Sequence, residues 1–183
     1  MKNLSFLKNN YYFKRVNLEK LSLKHLNDIH EYSIDKRFFK YFESPKFKSK
    51  NQTKKYIKQK LEDVKKINTF WWAIKLNCQD KVIGTICIHN INYLRKTCEV
   101  GYGINPNYWG KGYFVEVLKG LIKMILTKNR FLRCQAITSK KNTYSIKGLK
   151  KCGFKIEGTL KNFYRDNKYK KNFDAVILSK IIK

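Results

Sequence analysis

The chain has 183 residues and is strongly basic, with 41 Lys+Arg against 13 Asp+Glu and a formal net charge of +28 at pH 7. This charge predicts attraction to phosphate-rich partners and non-specific binding of nucleic acid at low salt. The heavy use of Lys, Asn, Ile, Phe and Tyr also fits an AT-rich genome, which is an alternative source of part of the charge. The length suits one domain with one apolar core. We expect a single domain over residues 1–183, with its core at about 12–181 and an N-terminal tail at 1–10.

The cysteines, histidines and apolar runs exclude several classes of protein. The five cysteines are odd in number and show no Cys-x-x-Cys spacing, which argues against a disulfide framework or a zinc ribbon. His25 and His30 have no Cys, Asp or His partner at metal spacing, and we expect no metal. No apolar run is long enough for a signal peptide or approaches the ~20 residues of a membrane span. We therefore expect a cytoplasmic protein with no membrane partner.

Apolar periodicity and turn residues divide the chain into strands and helices. The predicted elements, in order, are a strand at 11–18, a helix after Ser22, a polar helix from Asn51 or Thr53 to about Lys66, strands at 70–76, 81–88 and 95–104, a helix at 112–127, a strand at 131–138, a short helix from Asn142 that Gly153 ends, and a closing hairpin of 154–165 and 169–181 around Asp166 and Asn167. Because a parallel return needs a crossover, the strand at 99–104, the next helix and the strand at 131–138 should form a β-α-β unit. The pattern predicts an α+β (mixed α/β) fold with a central, mostly antiparallel twisted sheet.

The stretch 99–114 reads as a strand that runs into a glycine-bracketed turn and then a helix. Pro106 marks the end of the strand, and Gly110 and Gly112 flank Lys111. Two positions without side chains let backbone N–H groups approach a ligand where the helix macrodipole is positive. This arrangement predicts an anion site, most simply for a pyrophosphate. The alternative is a helix start whose glycines serve packing alone.

Several motifs in order resemble the GNAT N-acetyltransferase superfamily, and within it the RimJ/RimL-like branch of ribosomal-protein N-acetyltransferases. They are Glu99-Val-Gly-Tyr-Gly-Ile, then Asn-Pro-Asn-Tyr-Trp-Gly-Lys-Gly-Tyr, Asn142-x-x-Ser145, Leu149-x-Lys151-Cys-Gly-Phe154-x-x-Glu157-Gly158 and Phe173-Asp174. The match spans about residues 12–180, so it is far more specific than a glycine pair alone. The resemblance implies the GNAT fold, acetyl-CoA as co-substrate and transfer of acetyl to an amine.

The resemblance also implies which residues bind acetyl-CoA. The pantetheine arm would pair with the strand at Tyr102, Gly103 and Ile104, and the pyrophosphate would lie on the amides of Trp109, Gly110, Lys111, Gly112 and Tyr113. Asn142 would bond the pantetheine arm, and its alternative role is a helix N-cap. Asn107 stands where the superfamily usually has Arg or Gln, which weakens a side-chain clamp at that point.

The catalytic groups follow less directly from the sequence. Where many members place a tyrosine acid, this chain has Leu149, so Ser145 becomes the candidate proton donor to the leaving thiolate, with a structural serine as the alternative. Glu99 is the candidate base for the amine, with a salt-bridged strand residue as the alternative. Trp71 and Trp72 point to opposite faces of one strand, so we expect one to pack in the core and the other to wall the amine pocket.

The predicted reaction is direct transfer in a ternary complex, because Cys98 reads as a buried strand thiol and not as an acetyl-carrying nucleophile. The acceptor stays open among a protein N-terminus, including that of a ribosomal protein, an amino sugar, a polyamine and an antibiotic. The basic surface favours an acidic or nucleotide-linked amine. Two other classes are a basic nucleic-acid- or ribosome-binding protein and a catalytically silent acetyl-CoA-binding regulator. The protein should be a monomer or a homodimer.

Overall fold

A single mixed sheet organises the part of the chain that the computed structural model describes, which is residue 7 and residues 9–65, 69–127, 131–166 and 171–181. The strands are β1 (Tyr11–Tyr12), β2 (Val16–Lys20), β3 (Phe70–Leu76), β4 (Val82–Asn92), β5 (Thr97–Ile104), β6 (Arg133–Ser139), β7 (Lys155–Asp166) and β8 (Lys171–Ile181). Their order across the sheet is β1-β2-β3-β4-β5-β6-β8-β7. The predicted antiparallel meander is present as β3, β4 and β5. The predicted α+β fold is confirmed.

Four helices cover the two faces of the sheet within the same described ranges. They are α1 (Leu26–Ser33), α2 (Lys50–Lys65), α3 (Tyr113–Thr127) and α4 (Thr143–Lys151). Apolar residues of α3 and α4 join the main core, whereas α1 and α2 cover a smaller cluster on the opposite face. Period-two alternation along β3 serves both layers, since Trp72 belongs to the first cluster and Ala73 to the second.

The β-α-β unit is present as β5, α3 and β6, and β5 with β6 is the only parallel pair among the described strands. The two strands pair only from Thr97 with Arg133 to Glu99 with Gln135. Beyond these residues β5 and β6 no longer pair with each other, so a gap opens between 100–104 of β5 and 136–139 of β6. The gap leaves backbone groups of β5 without strand partners on that side.

One prediction about the sheet needs correction. The predicted strand at 11–18 is a hairpin of β1 and β2, because the chain reverses where Phe13 N donates to Val16 O. The side chain of Asn77 holds this turn by donating to the carbonyl oxygens of Phe13 and Lys14. The predicted closing hairpin is present as β7 and β8, and β8 lies between β6 and β7. Asn167 of the predicted turn, the predicted strand start at 169–170, the end of the second helix at Lys66 and most of the predicted tail lie outside the described residues.

Candidate active site

A cavity of about 460 Å³ opens on the α1 and α2 face of the sheet, against the part of β5 that leaves β6. Gly101, Tyr102 and Gly103 line it from β5, and Trp71 lines it from β3. Gly103 has no room for a side chain, because a Cβ there would lie 2.6 Å from the ring of Phe38. The cavity and the gap therefore meet at the same three residues of β5.

The two predicted pocket tryptophans lie on different sides of the sheet. Trp71 borders the cavity, whereas Trp72 is 1% exposed in the main core, and its Nε1 donates to the carbonyl of Asn9 at 3.0 Å. Trp72 is thus a core residue and does not wall the cavity. Consecutive residues of a strand point to opposite faces of the sheet, which is why the two tryptophans lie on different sides.

Glu99 lies on β5 beside the cavity, at the last residue that pairs with β6. Its Oε2 accepts from Gln135 Nε2 at 3.3 Å and from Asn90 Nδ2 at 3.4 Å, and its Oε1 lies 3.7 Å from Nε2 of His89, which pairs with it across β4 and β5. Asn90 reaches Glu99 from a left-handed backbone conformation, φ 49°, at a bulge in β4. His89 and Asn90 line the cavity directly, so they connect Glu99 to it.

On the opposite face of β5, the hydroxyl groups of Tyr102 and Ser145 lie 2.6 Å apart. The Tyr102 ring packs on Phe114 with ring centroids 4.0 Å apart. Burial raises the pKa of the Tyr102 hydroxyl, so it stays protonated at neutral pH and can donate. Asn142 begins α4 as its N-cap, and its Oδ1 accepts from Ser145 N at 3.1 Å. The Asn142 Nδ2 amide remains a donor for other groups.

The glycine turn before α3 has the backbone that its sequence predicts. Gly110 and Gly112 have φ of 75° and 80°, a left-handed region that L side chains rarely adopt. A Cβ at Gly110 would meet nothing within 4 Å, so the backbone conformation and not crowding requires glycine there. The first N–H groups of α3 point out of the helix start, because helix geometry gives them no acceptor within the helix. Together with the macrodipole they give this helix start the chemistry that suits an anion.

Arg15 adds a cation at this helix start. Its Nε forms an ion pair with Glu116 at 2.7 Å, its Nη1 donates to the Lys111 carbonyl at 2.9 Å, and its guanidinium stacks 4.7 Å from the Tyr113 ring centroid. The side chain comes from the turn between β1 and β2, which no helix or glycine pattern connects with α3. Nothing in the sequence therefore connects Arg15 with this helix start.

Side chains already hold two carbonyl groups at the gap. Trp109 Nε1 donates to Ile104 O at 2.7 Å, which ties the glycine turn to the end of β5. Tyr164 Oη donates to Ile137 O of β6 at 3.3 Å. Burial, with Glu99 and Glu43 nearby, raises the pKa of Tyr164 to about 12. Ile104 O is thus already engaged by Trp109.

Tyr164 reaches β6 because β7 carries a bulge before it. The register of β7 against β8 shifts between Leu160 and Tyr164, and Asn162 has φ 52°. The carboxylate of Asp174 holds the bulge by accepting from Asn162 N at 3.2 Å and Lys161 Nζ at 3.1 Å. Asp174 therefore orients a backbone segment, as a bulge next to a site often re-aims a side chain.

His89 and the aromatic segment at 38–47 are two further features of the site that the sequence did not reveal. His89 stands alone on a strand, and only the β4–β5 register brings it to Glu99. The segment contains a short 3-10 helix, Phe38–Tyr41, and lines the cavity through Phe38, Phe39, Phe42 and Phe47. The high phenylalanine content of this segment stands out in the sequence. However, the phenylalanines have no periodicity that would assign them to one face of a helix or strand.

The fold and these features define the class of protein. Residues 15–155 match the family model described as Acetyltransferase (GNAT) domain. The chain therefore belongs to the GNAT acetyltransferases and is an acyltransferase. No helix in the described ranges is long and apolar enough to cross a membrane. The same residues contain no group of three or more His, Cys, Asp or Glu that could hold a metal.

Particular relatives agree with this class. An uncharacterized N-acetyltransferase, p20 of Bacillus licheniformis, is 30% identical over 155 residues, which cover 83% of this chain and 85% of that protein. The structure of the microcin C7 self-immunity acetyltransferase MccE, in complex with acetyl-CoA and AMP, superposes with a TM-score of 0.84 at 23% identity, covering 92% of this chain and 93% of that one. RimL, a ribosomal L7/L12 alpha-N-protein acetyltransferase in complex with coenzyme A, gives 0.82 at 17% identity, covering 95% and 98%. These two acetyltransferases thus share the fold of this chain.

Proposed function

We propose that the protein transfers acetyl from acetyl-CoA to a primary amine bound in the cavity, by direct transfer in a ternary complex. The observation that carries this proposal is the meeting of cavity and gap at Gly101–Gly103. An acetyl thioester held in the gap and an amine held in the cavity would lie on either side of these residues. Bringing the two reactants together supplies most of the acceleration in such a reaction.

The residues at the gap and the glycine turn fit acetyl-CoA. The proposed cofactor-binding residues are Tyr102, Gly103, Ile104, Trp109, Gly110, Lys111, Gly112, Tyr113 and Asn142, with Arg15 added. The helix start and its two cations suit the pyrophosphate, and the unpaired edge of β5 suits the amide groups of pantetheine. Acetyl-CoA supplies the activated acetyl thioester.

Glu99 and Ser145 take the two proton-transfer roles in this proposal. Glu99, with His89 beside it, accepts a proton from the attacking amine. Ser145 donates a proton to the departing sulfur, and its own oxygen can accept from Tyr102. The new N–C bond thus replaces the C–S bond without a net change in charge. General acid–base catalysis of this kind typically accelerates a reaction by about 10²–10⁴-fold.

Two acceptor classes are proposed for this chain. A ribosomal-protein N-terminus is supported by the RimL-like fold, since RimL is a ribosomal L7/L12 alpha-N-protein acetyltransferase. A nucleotide-linked or otherwise acidic amine is supported by the net charge of +28 and by the AMP bound to MccE. A polyamine fits a basic surface least well.

An acceptor screen tests the proposal. The purified chain is incubated with acetyl-CoA and a panel of N-terminal peptides, amino sugars, polyamines and nucleotide-linked amines, with free thiol and product mass as readouts. We expect acceptor-dependent thiol release together with a mass gain of one acetyl group. Acetyl-CoA binding without turnover on any acceptor would point to a silent regulator. RNA retention that falls steeply with salt, without acetyl transfer, would point to a basic binding platform.

A further inference from the structure

Six aromatic side chains form a continuous surface along the cavity, and we call them the aromatic chain. They are Phe38, Phe39, Phe42, Phe47, Tyr56 and Trp71. Neighbouring ring centroids lie 5.0 to 6.3 Å apart along the series. These separations are typical of stacked and edge-to-face aromatic contacts. One side of the cavity wall is therefore aromatic.

The aromatic chain is not simply part of the protein core. None of its six members is fully buried, and Phe42 is 47% exposed. Apolar surface of this kind beside a cavity marks a binding site more often than a packing defect. A small aliphatic amine would leave the exposed part of these rings in water. A planar ring that stacks on them would remove that surface from water.

A buried hydrogen-bond donor in the same wall indicates what kind of ring would bind there. The Nε1–H of Trp71 is buried and has no acceptor among the described residues. A buried donor without a partner is costly, and the ring nitrogen or carbonyl of a heteroaromatic base would satisfy it, whereas a hydrocarbon ring would not. The orphaned donor therefore favours a heteroaromatic ligand.

Lys60 supplies a positive charge at the same wall. Its Nζ lies 5.2 Å from the Trp71 ring centroid and 5.5 Å from that of Tyr56. Asp63 accepts from Nζ at 3.1 Å and offsets part of this charge, but an ammonium group has three donors, so two remain. His89 and Asn90 lie at the β5 side of the cavity, toward Glu99. An anion near Lys60 and an amine near His89 would thus bind at different points of one cavity.

We propose that the acceptor is a nucleotide-like amine, which stacks a heteroaromatic ring on the aromatic chain, places an anionic group near Lys60 and presents its primary amine to His89 and Glu99. This inference rests on the acetyl transfer proposed above and names its substrate class. The cavity of about 460 Å³ is in the range of small-ligand pockets. The amine reacts as described for Glu99 and Ser145, with no further reactant.

Matched acceptors test the ring. The aminohexyl phosphodiester of AMP is compared with aminohexyl phosphate, which has the same amine and a phosphate but no base. We expect KM to be lower for the AMP ester by about 10-fold or more, as base stacking on aromatic side chains provides. Equal KM values, or a preference of that size for an N-terminal peptide, would overturn the proposal.

Variants locate the effect. Phe42→Ala should raise KM for the AMP ester several-fold more than it raises KM for aminohexyl phosphate, and Trp71→Phe should do the same by removing only the donor and part of the ring. Tyr12→Ala is the control, because Tyr12 is 77% exposed on β1 and does not line the cavity. Lys60→Gln should weaken binding of the AMP ester more than that of a third acceptor, an aminohexyl conjugate of adenosine that lacks the phosphate. A loss that is equal for both acceptors would contradict the assignment.

A binding measurement separates this proposal from the acetyl transfer itself. AMP is titrated by calorimetry in the presence of saturating coenzyme A, so that the nucleotide cannot occupy the cofactor site. Binding that Phe42→Ala weakens supports the ring even if no acceptor turns over. No AMP binding at millimolar concentration, while simple amines are acetylated, overturns the ring and leaves the acetyl transfer in place.

Discussion

At the scale of single residues, Glu99 is the side chain on which the proposed chemistry most depends. Glu99→Gln should lower kcat/KM for the acceptor by about 10²-fold, because the amide cannot take the amine proton. It should also remove the acidic limb of the pH–rate profile, since that limb reports protonation of the base. Acetyl-CoA affinity, measured by calorimetry, should stay nearly unchanged. Normal turnover of the variant across pH would remove Glu99 from the mechanism.

The contact between Tyr102 and Ser145 gives a second residue-scale prediction. Ser145→Ala should lower kcat by a few-fold to about 10-fold without moving the acidic limb, because a thiol leaves readily even without help. Tyr102→Phe keeps the ring on Phe114 and removes only the hydroxyl that contacts Ser145. If the two hydroxyls act together, the double variant should be no slower than Ser145→Ala alone. Additive losses in steady-state kinetics would show independent roles.

At the scale of elements, the glycine turn before α3 should decide cofactor binding. Gly110→Val or Gly112→Val should abolish the acetyl-CoA-dependent rise in thermal midpoint, since each forces a β-branched residue into a left-handed backbone at the proposed pyrophosphate site. Circular dichroism of the free variants checks that they remain folded. Retained acetyl-CoA affinity in both folded variants would place the pyrophosphate elsewhere.

The junction of β6, β7 and β8 gives a prediction on stability. Glu157 accepts from Arg133 Nη1 at 2.7 Å and Ser179 Oγ at 2.5 Å, and these hydrogen bonds, Arg133 first, lower its pKa to about 2. A depressed carboxyl pKa adds stability above the unfolded value near 4.5, and the gain disappears as pH falls toward 2. Glu157→Gln should therefore lower the thermal midpoint by about 2 °C at pH 7.

The pH dependence of this difference is the informative measurement for Glu157. The difference in thermal midpoint between wild type and Glu157→Gln should disappear as pH is lowered from above 4.5 toward 2, because the wild-type carboxylate then takes up its proton. The difference in thermal midpoint stays small because the Glu157 side chain is about a third exposed. A difference in thermal midpoint that stays constant over this pH range would mean that packing, and not charge, stabilises the junction.

The sequence predicted most elements because their signals were local. Apolar periodicity located α3, and the pair of glycines located the turn before it. The break between β1 and β2 was missed because Lys14 and Arg15 carry no turn signal, and Asn77, far along the chain, holds the reversal. At the candidate site, the pairing of His89 with Glu99 depends on strand register, which a single sequence does not state.

At the scale of the whole molecule, the cofactor should stabilise the fold. Acetyl-CoA that binds only the native state adds free energy by mass action, so at about a hundredfold excess over Kd the thermal midpoint should rise by roughly 5–10 °C. Differential scanning fluorimetry at several acetyl-CoA concentrations measures this shift. Inorganic pyrophosphate at equal ionic strength is the control for non-specific anion binding to a chain of net charge +28. A flat midpoint with acetyl-CoA would contradict cofactor binding.

The place of β8 in the sheet has a consequence for biosynthesis. Although it comes last in the described chain, β8 lies between β6 and β7 and pairs with both. Until it has left the ribosome, β6 has only its three residue pairs with β5, and β7 has no described strand beside it. The half of the molecule that carries α4 and one edge of the gap can therefore assemble only after translation of β8. A ribosome that stalls before Lys171 would hold a sheet in which the edge of β6 is open and β7 lacks its partner strand.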